Sequence, residues 1–123
     1  MSADGEAKAA ADQAFARGAY PHRVDGARML DKASTLDAIA EALSFPEYFG
    51  RNLDALYDML TDLSWLPRGE HVLIWVGSEG LRGSEPKTYL AVRSVLSDAQ
   101  RALGPGDGRG ADGWRLTVVL ADS

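Results

Sequence analysis

The chain has 123 residues, no cysteine and a formal net charge of -5, from 13 basic and 18 acidic side chains. This length suits one domain that buries its own core, and the lack of cysteine excludes disulfides and thiolate metal sites. The acidic balance argues against nonspecific binding to nucleic acid or to anionic membranes, because both need Lys and Arg to neutralise phosphate, and it permits a basic protein partner.

Targeting signals are not evident in the sequence. No apolar run approaches the roughly 20 residues of a membrane span. The N-terminal residues MSADGEAKAAADQAFARGAY lack the apolar stretch of a secretory signal. We therefore expect a cytoplasmic protein. Residues 1–19 are rich in alanine and are predicted to form an N-terminal arm, helical or disordered, ahead of one domain over residues 20–123.

The first predicted elements are a strand and a helix. The strand covers Tyr20–Val24 and ends at the turn pair Asp25-Gly26. Ser34 is predicted to cap the helix, with Asp37 in place of the usual glutamate of a capping box. Pro46 marks the break after this helix.

The remaining predicted elements alternate between helices and strands. They are a second helix capped by Asn52 at Leu53–Leu63, a buried strand at Val72–Val76, a loop at Gly77–Gly83, a helix from Pro86 to about Leu103, a glycine-rich loop at Gly104–Gly113 and a last strand at Trp114–Leu120. Strands separated by helices require crossover connections. The sequence therefore predicts an α/β fold, a three-stranded parallel sheet with helices on one face, in two layers.

Residues 45–67 read FPEYFGRNLDALYDMLTDLSWLP and carry most of the functional information. A helical wheel turns one row of leucines towards the core: Leu53, Leu56, Leu60 and Leu63. It places four polar residues on the opposite side, with Tyr57 at the boundary: Asp54, Asp58, Thr61 and Asp62. The aspartates follow i, i+4, i+8 spacing, and each like-charge pair destabilises a helix by roughly 0.2–0.5 kcal/mol. This unfavourable spacing of like charges has no evident compensation in the sequence, and such a conflict is expected where the residues serve a function.

Aromatic residues accompany these acids. Tyr48, Phe49 and Tyr57 lie beside them in the sequence, and tyrosine next to a desolvated charge is typical of an interface hot spot. Gly50 permits a positive φ or a close backbone approach. Composition leaves two alternatives open, a solvated acidic helix face and a surface that binds a basic partner.

The stretch PEYFGRNLDALYD, Pro46 to Asp58, resembles the PEYYGxNLDALWD signature of the barstar family of intracellular ribonuclease inhibitors. The likeness extends without a gap from about Val24 to Pro67 and continues in outline. It implies a three-stranded parallel sheet packed against helices, in agreement with the predicted elements. It also implies a protein, monomeric when free and neither an enzyme nor a cofactor carrier, that protects the cell by blocking a basic, guanyl-type ribonuclease.

The resemblance assigns roles to matching positions. It implies that Asp58 takes the place of a phosphate in the cationic groove of the nuclease, and that Asp54 pairs with further basic groups. Tyr57 keeps an aromatic ring where the family has tryptophan, and Thr61 matches a rim position. The predicted partner-binding residues are Tyr48, Phe49, Gly50, Asn52, Asp54, Tyr57, Asp58, Thr61 and Asp62.

The chain also departs from the family pattern. Leu63 stands where a second tryptophan is usual, and Asp62 stands where glycine is common. The acidic contact of the third helix falls near Gln100 and Arg101. A barstar-like module for a partner that is not a ribonuclease is therefore the alternative interpretation.

Catalytic and metal sites fit the sequence less well. Asp54 and Asp58 as an acid/base pair would need a pocket, whereas both are expected on a convex helix face. His22 and His71 are the only histidines, and neither lies at ligand spacing to another donor, so we expect no metal. The three tryptophans are predicted to pack in or near the core: Trp65, Trp75 and Trp114.

Overall fold

The structure is a computed structural model that describes residues 3–103 and 113–122. In chain order, the elements are α1 (Ala3–Ala16), β1 (Tyr20–Asp25), a 3-10 turn (Gly26–Arg28), α2 (Lys32–Ala42), α3 (Leu53–Asp62), β2 (Gly69–Val76), α4 (Glu79–Ser84), α5 (Pro86–Ala102) and β3 (Trp114–Ala121). Most of the predicted glycine-rich loop, residues 104–112, lies outside the described residues. Among the helices within the described ranges, none has the length and apolarity of a membrane span.

The three strands form one parallel sheet in the order β1-β2-β3, which confirms the predicted α/β class and the parallel pairing. The central strand is buried from His71 to Val76. A strand that is covered on both faces needs apolar side chains in both directions. This explains the uninterrupted apolar run VLIWV, because a strand with one exposed face would alternate apolar and polar residues.

The larger core lies between one face of the sheet and helices α2, α3 and α5. Leu73 and Trp75 of β2 point into it, and the Trp75 side chain is fully buried. Trp65 and Trp114 are partly buried against the same core. Each donates its indole N–H to a backbone carbonyl, of Leu43 and Leu66 respectively. The predicted packing of all three tryptophans is confirmed.

Helix α1 covers the other face of the sheet and adds a layer that the two-layer description does not include. Its buried residues are alanines, Ala7 and Ala14, and they pack against Val72, Ile74 and Val76 of β2. Small side chains let a helix approach a sheet closely but bury little apolar area. The division of the chain into an N-terminal arm (residues 1–19) and a domain (residues 20–123) stays a prediction.

Ion pairs hold both ends of α1 on the sheet. Just past its C-terminus, Arg17 donates from Nε and Nη2 to the two carboxylate oxygens of Glu70 on β2, over 2.9 and 3.0 Å. The hydroxyl of Thr117 on β3 donates to the same carboxylate over 2.6 Å. Near the other end of the helix, Arg23 of β1 pairs with Asp4. The hydrogen bond from Arg17 lowers the pKa of Glu70 to about 2.

Two local predictions are corrected by the structure. Asp31, not Ser34, caps α2, because its carboxylate accepts the Ser34 N–H over 2.8 Å while the Ser34 hydroxyl accepts the Asp31 N–H over 3.2 Å. The capping box is therefore present one turn earlier than predicted. The predicted loop Gly77–Gly83 contains the short helix α4, whose two glycines disfavour a helix but whose Leu81 is fully buried. Tertiary burial thus outweighs local propensity there.

Candidate functional site

Helix α3 starts where the sequence predicts. The side-chain oxygen of Asn52 accepts the N–H of Ala55 over 2.7 Å, so the predicted N-cap is confirmed. The side-chain amide of Asn52 donates to the carbonyl of Gly50 over 3.3 Å and ties the preceding turn to the cap. The helix ends at Asp62, and Leu63 follows in the left-handed conformation with its side chain fully buried.

The leucine row of α3 faces the core and packs against α5. Leu56 and Leu60 are fully buried, and Met59 is nearly so. Asp54 and Asp58 are exposed on the outer side. Tyr57 lies between them and keeps 37 % of its surface exposed. We call Asp54, Tyr57 and Asp58 the acidic face of α3, and its predicted orientation is confirmed.

Thr61 was placed on the wrong side of the helix. Its side chain is only 3 % exposed, and its hydroxyl donates back to the carbonyl of Tyr57 over 2.9 Å. Threonine can be buried in a helix interface because its methyl group is apolar and its hydroxyl is hydrogen-bonded within the same helix. The helical wheel had assigned only leucines to this side. Asp62 is half-buried at the end of the helix. Contacts of either residue with a partner stay predictions.

In the loop before α3 (residues 45–52), Phe49 packs against the core and Tyr48 lies on the surface. Phe49 is half-buried and meets Phe45 edge to face, with ring centroids 4.9 Å apart, and Phe45 in turn meets Trp65 at 5.6 Å. Tyr48 is 71 % exposed. Phe49 therefore anchors the loop, while Tyr48 next to it in the chain is left on the surface.

The left-handed residue of this loop is Arg51, with φ 52°, and not Gly50. A Cβ on Gly50 would lie 3.4 Å from the Ala55 Cβ and from the Asn52 amide, which is an ordinary contact distance. The free chain therefore has no steric need for glycine at this exposed position. Of the two possibilities that Gly50 permits, the positive φ is not adopted, and a close backbone approach by a partner stays a prediction.

An ion pair that the sequence did not indicate joins this loop to α2. Arg51 donates from Nε and Nη2 to the two oxygens of Asp37, each over 2.9 Å. Asp54, Asp58 and Asp62 take part in none of the ion pairs within the described residues. The acidic face thus keeps its carboxylates available to cations from outside the chain.

The two histidines make contacts within the chain, and so do Gln100 and Arg101 on the third predicted helix, which is α5 in the structure. His22 and His71 come together in the sheet, with Nε2 and Nδ1 2.9 Å apart, and His71 Nε2 lies 2.8 Å from the carbonyl of Pro67. That carbonyl can only accept, so His71 Nε2–H donates to it, and the Nδ1 atom of a neutral His71 faces His22 as a hydrogen-bond acceptor. At the end of α5, the Gln100 side chain accepts the N–H of Val118, and Arg101 pairs with Asp98.

The acidic face offers exposed carboxylates and does not border the cavities considered next. The largest of the described cavities, about 490 Å³, lies between α1 and β1, and neither Asp54 nor Asp58 lines any of those cavities. Within residues 3–103 and 113–122, no group of three or more His, Asp or Glu side chains could hold a metal ion. Exposed carboxylates on a rigid helix can accept charge-assisted hydrogen bonds from Arg and Lys.

Comparisons with known proteins point to one family. The family model described as Barstar (barnase inhibitor) matches residues 19–121, a range that contains the acidic face and begins after α1. The chain is also similar to a protein of Bacillus subtilis (strain 168) that bears the name "Putative ribonuclease inhibitor YrdF". The two are 37 % identical over 67 residues, which make up 54 % of this chain and 70 % of that protein.

Proposed function

The chain belongs to the barstar family, and we propose that it binds a ribonuclease and blocks the active site with the acidic face of α3 and the loop before it. The observation that carries this proposal is that Asp54 and Asp58 are exposed and have no ion-pair partner within the described residues, with the exposed Tyr48 and Tyr57 in the same segment. The proposal includes action in the cytoplasm, without catalysis by this chain.

The chemistry of a ribonuclease groove complements this face. Such a groove holds cationic side chains that bind the phosphodiester, and a carboxylate can accept the same hydrogen bonds as a phosphate oxygen. Asp58, in the second turn of α3, is proposed to take the phosphate position, with Asp54 one turn earlier on the same side. Complementary charge also accelerates association and makes it sensitive to salt.

A basic partner that is not a ribonuclease is the second candidate. The end of α5 favours it, because Gln100 is engaged with the edge of β3 and Arg101 is a cation. A cationic nuclease that needs an acidic contact at these two positions would meet an amide and a cation, and the carboxylate of the neighbouring Asp98 is already paired with Arg101. The acidic face itself would serve both kinds of partner.

Inhibition assays distinguish the two candidates. The chain is titrated into the activity of a panel of basic, guanyl-specific ribonucleases, and we expect stoichiometric inhibition that weakens as salt is raised. Asp58→Ala should cost roughly 2–5 kcal/mol of binding, the general range for a buried interface charge pair, for which barnase–barstar is itself a standard example.

The matched control is Asp12→Ala, which removes an exposed carboxylate from α1 on the other side of the sheet. Inhibition by this variant should equal that of the native chain. If Asp12→Ala and Asp58→Ala lose the same affinity, the acidic face is not the contact surface. If none of the ribonucleases is inhibited, the second candidate replaces the first.

A further inference from the structure

Arg51 is the single cation of residues 45–67, and it directly precedes the cap of α3. Its closest acid further along the chain is Asp54, three residues away, in the first turn of α3. The guanidinium nevertheless lies on α2, where both oxygens of Asp37 accept from it over 2.9 Å. Among the ion pairs of the described residues, the Arg51 guanidinium is therefore paired with Asp37 on α2 and not with Asp54 on α3.

The backbone supports this placement. Arg51 has φ 52°, a conformation that costs free energy in any residue with a Cβ. Gly50, next to it, would adopt that conformation more cheaply, yet it is not among the residues with positive φ. The turn is left-handed at the residue whose side chain reaches α2, so the pair with Asp37 helps to offset the cost.

The electrostatics point the same way. An unpaired cation beside the N-terminus of α3 would oppose the helix dipole and would be attracted to the first-turn carboxylate of Asp54. It would also repel a cationic partner at the same surface. Pairing with Asp37 weakens each of these effects, although Asp37 itself belongs to another helix and is not part of the acidic face.

We propose that Asp37 is a positioning residue for the acidic face: it holds the Arg51 guanidinium on α2 and leaves Asp54 free to receive a cation of the partner. The consequence for binding rests on the proposed function. The position of the guanidinium is a property of the free chain and can be tested without any partner.

The free-chain test follows the Arg51 Nε–H resonance by NMR. In the native chain, Asp54→Asn should leave this resonance unchanged, because the guanidinium is on Asp37. In the Asp37→Ala chain, Asp54→Asn should shift it, because the released guanidinium moves to Asp54. Glu47→Gln, which neutralises the acid before the loop, is the control and should shift it in neither chain. A response to Asp54→Asn in the native chain, or none in the Asp37→Ala chain, overturns the inference.

The binding test uses any ribonuclease that the native chain inhibits. Arg51→Gln should change the affinity by less than about twofold in the native chain, where Asp37 already neutralises the cation. In the Asp37→Ala chain, the same substitution should tighten binding by about tenfold, because it removes a cation that competes for Asp54. Both positions are more than half exposed, so the variants should fold, which circular dichroism checks.

The outcomes of the two tests remain separable. Equal effects of Arg51→Gln in the two chains would show independent charges and would overturn the positioning role. If no ribonuclease is inhibited by the native chain, the proposed function fails, while the NMR result still decides where Arg51 is held.

Discussion

Replacing Glu70 by glutamine tests what holds α1 on the sheet. Glu70 receives two hydrogen bonds from Arg17, at the end of α1, and one from Thr117. Because the buried side of α1 consists of alanines, apolar burial contributes little to its attachment and this charged contact contributes much. Glutamine keeps the size of the side chain and one acceptor oxygen, and it removes the charge.

The expected loss follows from the pKa of Glu70, which the Arg17 hydrogen bond lowers from 4.5 to about 2. In full, that difference corresponds to roughly 3 kcal/mol. Water screens the pair, since the Arg17 side chain is 46 % exposed, and we expect about 1–2 kcal/mol at pH 7. A carboxyl with a lowered folded-state pKa stabilises the fold fully above 4.5, and this contribution disappears as the pH falls towards 2.

Urea unfolding of the native and Glu70→Gln chains at several pH values between 7 and 3 measures this contribution. The difference in the free energy of unfolding should be largest at pH 7 and should shrink steadily below pH 4.5. Asp12→Asn, which removes an exposed charge from α1 itself, controls for net charge. A difference that is the same at every pH, or that equals the effect of Asp12→Asn, would refute the role of the Glu70 charge.

Three further substitutions test the local structure around the site by urea unfolding. Asn52→Ala removes the cap on the Ala55 N–H and should cost about 1 kcal/mol; no change would show that the cap is dispensable. Ser44→Gly should stabilise by about 0.5–1 kcal/mol, because Ser44 ends α2 at φ 54° and is exposed; a loss would contradict strain there. Burial, then the neighbouring His71, lowers the pKa of His22, so the native chain should lose stability as the pH falls below about 6.5. His22→Gln should lessen that loss, and an equal loss in both chains would argue against His22 as its source.

The sheet and its order were predictable because their signals are local and strong. The short, β-branched run VLIWV favours a central strand buried on both faces, and the helical periodicities on either side require crossovers. The position of α1 was not predictable, since an alanine-rich stretch gives no strong apolar periodicity to distinguish a packed helix from a free one. Its attachment depends on pairs such as Arg17 with Glu70, which are 53 residues apart in the chain.

Those features of the site that depend on helix α3 alone were predictable from the sequence. The spacing of the leucines fixed the direction of Asp54 and Asp58, and Asn52 carries a cap signal of its own. Thr61 was misplaced because a wheel assigns sides by polarity, and a threonine can satisfy its hydroxyl within its own helix. The pair of Arg51 with Asp37 joins two elements, and no spacing rule within a single helix reveals it.

Within residues 45–67, residues that shape the segment can now be separated from exposed residues that a partner could contact. Asn52 and Phe49 both shape the segment, one by capping α3 and the other by packing on Phe45, so a loss of binding in their variants would not identify a contact. Asp58 and Tyr48 are exposed, and their side chains make no hydrogen bond within the described part of the chain. Their substitution should leave the free energy of unfolding within about 0.5 kcal/mol of the native value. A large loss of inhibition at unchanged stability would then assign these two side chains to the interface.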